Sequence, residues 1–324
     1  MKLNLKNYRG YANDQGIILF GHVFKKNTPD QYSLEGRKLR YALSVLRLFN
    51  IRTLGNVEVT LRFKDIVLTT KTLDDGYFRF SVPYSLPLES GWHSYSVSVM
   101  HAAGELRAEG EFLKPYPGNY GLISDIDDTF LISHSNNFIL KIYLLLTRNM
   151  NKRKFFDGVV EHYRLLGKAG RKEGPDHNAF FYVSSSEWNL YNLIYGFTKI
   201  HDFPKAVLKL KNIKTGLGDF LFTGSGSHDH KFYKIKHLLE FYPLLRFVLL
   251  GDDSQQDPYI YERIIKIFPK TVVAVYIRQS GRRPKGKIVS LMENMADMGA
   301  ETCYYHSTVD AMAHSKEIGL LPLY

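Results

Sequence analysis

The rhythm of apolar and polar positions changes once along the chain, near residue 115. Before that point the period is two. Residues 57–63 set Val57, Val59, Leu61 and Phe63 against Glu58, Thr60 and Arg62, and residues 94–100 alternate again through Tyr95, Val97 and Val99. This is the signature of half-buried strands. Residues 17–24 read as a strand carrying a glycine. Leu73-Asp74-Asp75-Gly76-Tyr77-Phe78-Arg79-Phe80 reads as a turn feeding a strand, its Asp-Gly pair a hairpin signal. Short strands with turn chemistry between them predict a small all-β sandwich over residues 1–115. One stretch breaks the pattern. In residues 37–49, Leu39, Leu43 and Leu46 share a helical face widened by Ala42, Val45 and Phe49, opposite Arg40, Ser44 and Arg47. A basic amphipathic helix of this kind either packs over protein, the commoner fate, or lies in an anionic membrane interface.

Pro115-Tyr116-Pro117-Gly118 marks the boundary to a second domain over 116–324. Beyond it short apolar runs at 120–124, 180–183, 247–251, 272–277 and 302–305 alternate with helical patterns. That alternation predicts an α/β fold, a Rossmann-like parallel sheet with helices on both faces. Ligands of such sheets bind beyond the carboxyl ends of the strands. Asp125, Ser184 and Asp252 each directly follow a strand, so the topology gathers them at one crevice.

Composition narrows the setting. The 324 residues, 44% hydrophobic and 14% aromatic, suit two globular domains. With one cysteine, Cys303, no intrachain disulfide and no cysteine-based zinc site can form. The first residues lack the apolar stretch of a signal peptide, and no run of 18 apolar residues is present, so the expectation is a cytoplasmic chain without a transmembrane segment. The 43 cations against 32 anions give a net charge of +11, which favours an anionic partner. The aromatics are not interleaved with the cations as in RNA-binding sheets, so no nucleic acid is expected.

The candidate chemistry lies in Asp125-Ile126-Asp127-Asp128-Thr129, where three carboxylates arrive within four residues at a strand end. Like charges this close need a cation or a shared proton, and an oxygen-only cluster suits Mg²⁺ better than zinc. Extended backbone points Asp125 and Asp127 the same way. Asp128 is as readily a helix-start carboxylate as a catalytic one. Ser184 after the second strand, a lysine (Lys231, with Lys234 and Lys236 as competitors) at a helix start, and Gly251-Asp252-Asp253-Ser254-Gln255-Gln256-Asp257 after the third complete the set. In this order the four signals resemble the motifs of the haloacid dehalogenase superfamily of phosphotransferases. The resemblance implies Asp125 as nucleophile and Asp127 as general acid, with Thr129, Ser184 and Lys231 on the phosphoryl group. It implies Asp125, Asp127, Asp252 and Asp257 around Mg²⁺, Asp257 in the outer sphere.

Further blocks narrow it. Leu145-Leu146-Thr147-Arg148-Asn149, Phe155-Phe156-Asp157-Gly158-Val159, Tyr182-Val183-Ser184-Ser185-Ser186-Glu187-Trp188-Asn189-Leu190-Tyr191, His230-Lys231 and the Gln256-Asp257-Pro258 ending are similar to the actin-patch-associated phosphatidate phosphatase family. The departures are Ser185 where asparagine is expected, Glu187 where proline is, and Asp253-Ser254 where Ser-Gly is. Membership implies Mg²⁺-dependent hydrolysis of phosphatidate to diacylglycerol and phosphate, with an anionic phospholipid or membrane surface as partner and a peripheral position at the inner membrane surface. The apolar run 137–150, followed by Arg148, Lys152, Arg153 and Lys154, is either a buried cap helix or one that dips into acyl chains. The Asp-Gly-Tyr-Phe-Arg-Phe stretch is similar to transthyretin-like sandwich modules appended to enzymes. Two other readings are a phosphatase of soluble phosphomonoesters and a non-enzymatic acidic-lipid-binding module. The second leaves the acid, hydroxyl and lysine set without a use.

Overall fold

The computed structural model describes residues 3–26, 52–84, 86–102, 104–118, 120–126, 153–170, 177–211 and 229–322. Residues 37–49 and 137–150, with Asp127, Asp128 and Thr129, lie outside them. The described residues fall into two compact units. One lies within Met1–Pro115 and Glu187–Gly196, the other within Tyr116–Ser186, Phe197–Lys211 and Ser225–Tyr324.

The first unit holds β1 (Asn4–Asn7), β2 (Gly10–Ala12), β3 (Gly16–Lys26), β4 (Arg52–Thr53), β5 (Glu58–Phe63), β6 (Ile66–Lys71), β7 (Tyr77–Pro83), β8 (Gly91–His101) and β9 (Gly104–Lys114). Their order is β1-β3-β2-β9-β8-β5-β6, with β4 and β7 also on β3. The two sheets expected of a sandwich are thus hydrogen-bonded into one. The join is β2, antiparallel to β3 with Tyr11 opposite Ile18, and parallel to β9 with Gly10 opposite Phe112. Leu19, Phe78 and Phe80 from one half and Val59, Leu61 and Val97 from the other share a single buried core. The Asp75-Gly76 turn forms, with Gly76 at φ +77° and its N–H on the Leu73 carbonyl at 2.8 Å. It is not a hairpin turn, because β6 pairs with β5 and β7 with β3. A Cβ on Gly76 would lie 2.6 Å from the Val23 carbonyl oxygen, so glycine suits the position on both counts.

Glu187–Gly196 packs within this unit through aromatic contacts. Trp188 stacks on His22 at 4.0 Å and 20°, and Tyr191 lies 4.3 Å from Tyr8 while its hydroxyl accepts the Arg9 backbone N–H at 3.0 Å. Neither ring nitrogen of the fully buried His22 has a hydrogen-bond partner among the described residues, and burial pushes its pKa down from 6.5 to about 3. The unfolded chain therefore binds the extra proton between those two values. The stability is complete above pH 6.5 and is lost as pH falls toward 3. At pH 5 the penalty is about 2 kcal/mol. His22→Phe, which keeps the stack, is expected to narrow the difference in urea-unfolding free energy between pH 7 and pH 5 by that amount. Tryptophan fluorescence reports it, since Trp92 and Trp188, the chain's two tryptophans, both lie in this unit. An unchanged difference would place the acid sensitivity elsewhere.

The second unit, taken with the boundary elements, runs β10 (Tyr120–Asp125), α1 (Arg153–Gly167), β11 (Ala179–Glu187), α2 (Tyr191–Ile200), β12 (Ala206–Lys211), α3 (Asp229–Phe241), β13 (Arg246–Asp252), α4 (Asp257–Ile267), β14 (Val272–Arg278), α5 (Gly286–Asp297), β15 (Glu301–Tyr305) and α6 (Thr308–Glu317). The strand order is β12-β11-β10-β13-β14-β15, and β10–β11, β10–β13, β13–β14 and β14–β15 pair in parallel. Leu122, Ile123, Phe180, Phe181 and Phe247 through Leu250 are fully buried. Continuous apolar strands of this kind mark a parallel sheet covered on both faces, and each such side chain contributes roughly 1.5–3 kcal/mol. The sequence reading omits β12, the edge strand.

Candidate active site

The chain builds outward from β10 through β11 and β12, then returns to lay β13, β14 and β15 on the other side. That reversal makes the β10/β13 junction the switch point, where a crevice opens beyond the carboxyl ends of the strands. Asp125 closes β10 and Asp252 closes β13, so the two flank it. Ser124 stands opposite Leu250, and Val183 opposite Asp125, which brings Asp252 and Ser184 to the same edge as Asp125. Asp125, Ser184 and Asp252 are all buried. Asp127 and Thr129 fall outside the described residues.

The three candidate lysines make different contacts. Lys231, in the first turn of α3 and 3% exposed, places Nζ 2.9 Å from Asp125 Oδ1 and also donates to Asp257 Oδ1. Lys234 donates instead to the Ser184 carbonyl oxygen at 3.1 Å, and Lys236 pairs with Glu240 at 3.0 Å. Asp257 begins α4, where a carboxylate suits the positive end of the helix, and its Oδ2 accepts the Asp252 N–H at 3.4 Å. This approach needs Gly251, since a Cβ there would meet Asp257 Oδ2 at 2.5 Å. The Ser184 hydroxyl oxygen accepts the Ser186 N–H at 2.8 Å.

Burial works to lower the Lys231 pKa, but the Asp125 and Asp257 carboxylates outweigh it and hold the ammonium charged well above its usual range. Burial raises the Asp257 pKa; Lys231 opposes this, and the charges of Asp125 and Asp252 add to it. Two buried carboxylates thus share one ammonium, and the charge of a third, Asp252, acts on Asp257. Asp125 Oδ2 has no hydrogen-bond partner among the described residues, while Asp252 Oδ1 accepts the Ser254 N–H at 2.7 Å. An oxygen-only set with surplus negative charge fits a hard divalent cation such as Mg²⁺. Among the described residues no three His, Cys, Asp or Glu are grouped to hold a metal by themselves, and Asp127 is not among them.

Two residues here escaped the sequence reading. The sequence reading gives Asp253 no role. Its Oδ1 accepts the Ser280 N–H at 2.9 Å and Lys285 Nζ at 3.1 Å, and its Oδ2 accepts the Tyr304 hydroxyl at 2.5 Å. Burial would raise its pKa, but these bonds hold it below the ordinary carboxylate value. Arg278 closes β14 opposite Asp252 and is 5% exposed. A charge ending an otherwise apolar strand was the available signal.

The second unit is therefore of the parallel-sheet α/β class, with a buried acid–lysine cluster at the topological switch point. Residues 120–279, most of them in this unit, match the family described as phosphatidate phosphatase APP1, catalytic domain. The chain is similar to phosphatidate phosphatase APP1 of Saccharomyces cerevisiae, 27% identical over 169 residues; the match covers 50% of this chain and 27% of that protein. The chain thus spans about a quarter of the length of that relative. Among solved structures, a carbohydrate acetylesterase of Xanthomonas citri aligns over 98% of this chain and 75% of its own at 11% identity and a TM-score of 0.32. The twitchin kinase region of C. elegans aligns over 35% and 16% at 11% identity and a TM-score of 0.21. Likenesses this slight establish no shared architecture.

Proposed function

We propose that the second unit is a haloacid dehalogenase-type phosphatase that hydrolyses phosphatidate to diacylglycerol and phosphate. The observation that carries the reading is Lys231 bridging Asp125 and Asp257 at the switch point, inside the segment that matches the phosphatidate phosphatase family. Asp125 attacks phosphorus, so that an Asp125–phosphorus bond forms as the ester oxygen–phosphorus bond breaks. Asp127 gives its proton to the departing diacylglycerol oxygen. Asp127 then takes a proton from water, whose oxygen attacks phosphorus and frees Asp125 and inorganic phosphate. Lys231 fixes Asp125 and neutralises charge as it spreads over the phosphoryl oxygens, Asp257 orients Lys231, and the Ser184 hydroxyl and Thr129 donate to those oxygens. Asp125, Asp127 and Asp252, with Asp257 behind them, would hold Mg²⁺, which when bound supplies Lewis-acid neutralisation of the phosphate. No described helix is long and apolar enough to cross a membrane, and the net charge of +11 suits peripheral action at an anionic surface.

Phosphate release from dispersed short-chain phosphatidate, measured in EDTA and after adding Mg²⁺, tests the reading. Release that depends on Mg²⁺, with diacylglycerol as co-product, is expected. Equal release in EDTA would sink the metal. Turnover of aryl or sugar phosphates with none of phosphatidate would favour a soluble phosphomonoester, a point the departures Ser185, Glu187 and Asp253-Ser254 make worth testing.

A further inference from the structure

The chain leaves β14 at Arg278, opposite Asp252, and reaches α5 through residues 279–285. Because β13 and β14 are parallel, this loop starts at the edge that carries Asp125 and Asp252. Residues 280–287 are all exposed and include Arg282, Arg283, Lys285 and Lys287, with no acidic residue between Arg278 and Glu293. Lys285 is spent on anchoring. Its Nζ donates to the Asp253 carbonyl oxygen at 2.5 Å and to Asp253 Oδ1 at 3.1 Å, and its backbone N–H donates to the Tyr304 hydroxyl at 3.1 Å. Asp253, next in chain to Asp252, thereby pins the loop beside the reacting carboxylates. Arg282, Arg283 and Lys287 have no ion-pair partner among the described residues.

We propose that residues 280–287 are the face that seats the catalytic unit on an anionic phospholipid bilayer. An unpaired, acid-free cationic surface complements a negative leaflet, each near-surface cation adding to the attraction within a Debye length. Its position at the strand-end edge would bring the crevice to lipid phosphates instead of turning it away. The purpose of this docking rests on the phosphatidate reading, but its occurrence does not.

The test is sedimentation of the full chain with phosphatidylcholine vesicles, with and without phosphatidylglycerol, at physiological ionic strength. These vesicles contain no phosphatidate, so the result is independent of turnover. The comparison sets wild type beside R282Q/R283Q/K287Q and beside R246Q/K266Q/K270Q. The latter removes equal charge from exposed positions at or before the amino ends of β13 and β14. Loss of three near-surface cations is expected to lower partitioning onto anionic vesicles roughly a hundredfold. The second variant should stay within about threefold of wild type, and both should keep the wild-type melting temperature. Equal losses in the two variants, undiminished binding by the first, or wild-type binding that ignores phosphatidylglycerol would each overturn the proposal. Failure of the phosphatase reading shows separately, as phosphate release that Asp125→Asn leaves intact.

Discussion

Asp125→Asn is expected to lower kcat for phosphatidate by about 10⁴-fold or more while the protein stays folded. The two effects separate for a physical reason. Asparagine keeps the shape of the side chain at the end of β10, so the fully buried position is neither emptied nor overfilled. It also removes one of the two carboxylates on the Lys231 ammonium, relieving a charge that pushes Asp257 up. What it takes away is the carboxylate oxygen that, in the proposed mechanism, forms the bond to phosphorus. Measured with the same phosphatidate dispersion as wild type, the loss should lie in kcat more than in KM. Acid-quenched wild type incubated with ³²P-labelled substrate should retain a covalent label that the variant lacks. A variant that still turns over phosphatidate, or a wild type that never carries the label, would remove Asp125 from the role of nucleophile.

The part of this site that was legible in sequence is the part written by strand ends. A fully buried parallel strand must be apolar throughout, so Phe247-Val248-Leu249-Leu250 announces itself, and the polar residue that stops it is where a crevice opens. Asp125, Ser184 and Asp252 could be read that way. Lys231 was preferred over Lys234 only for its place at the helix start, since residues three apart share a helix face; their different contacts appear only in the fold. Asp253 was invisible because its partners Ser280, Lys285 and Tyr304 lie 27 to 51 residues further on. β12 was hidden by Lys209 and Lys211, the half-exposed lysines typical of an edge strand, which blur an otherwise apolar run. In the first unit β3, β5, β7 and β8 were legible but β1, β6 and β9 were not read, and a three-residue element such as β2 carries no period. The joining of two expected sheets into one therefore had no sequence signal.

Lys231→Met should be the most destabilising single change at the site. The side chain is 3% exposed and holds Asp125 and Asp257, both fully buried. Methionine fills a similar space, so the cost is electrostatic and not a cavity. Breaking a buried pair from one side leaves charge without compensation, typically 3–5 kcal/mol, a large share of the stability of an ordinary domain. Urea unfolding in EDTA, so that no metal substitutes for the ammonium, is the measurement, and pH gives the signature. Without Lys231 the Asp257 carboxyl, which burial already raises, loses the cation that opposes the rise, so its folded pKa stands further above its unfolded one. The variant is then most stable below the unfolded value and loses stability as pH rises. Its deficit against wild type should therefore shrink between pH 8 and pH 5, where a merely mispacked variant would keep a constant deficit. Lys231→Met/Asp257→Asn should recover part of the loss, because removing a carboxylate with its partner leaves less uncompensated charge. If the double variant is as unstable as the two single losses added together, Lys231 and Asp257 do not act on each other, and the cluster that assembles around Asp125 is held by something else.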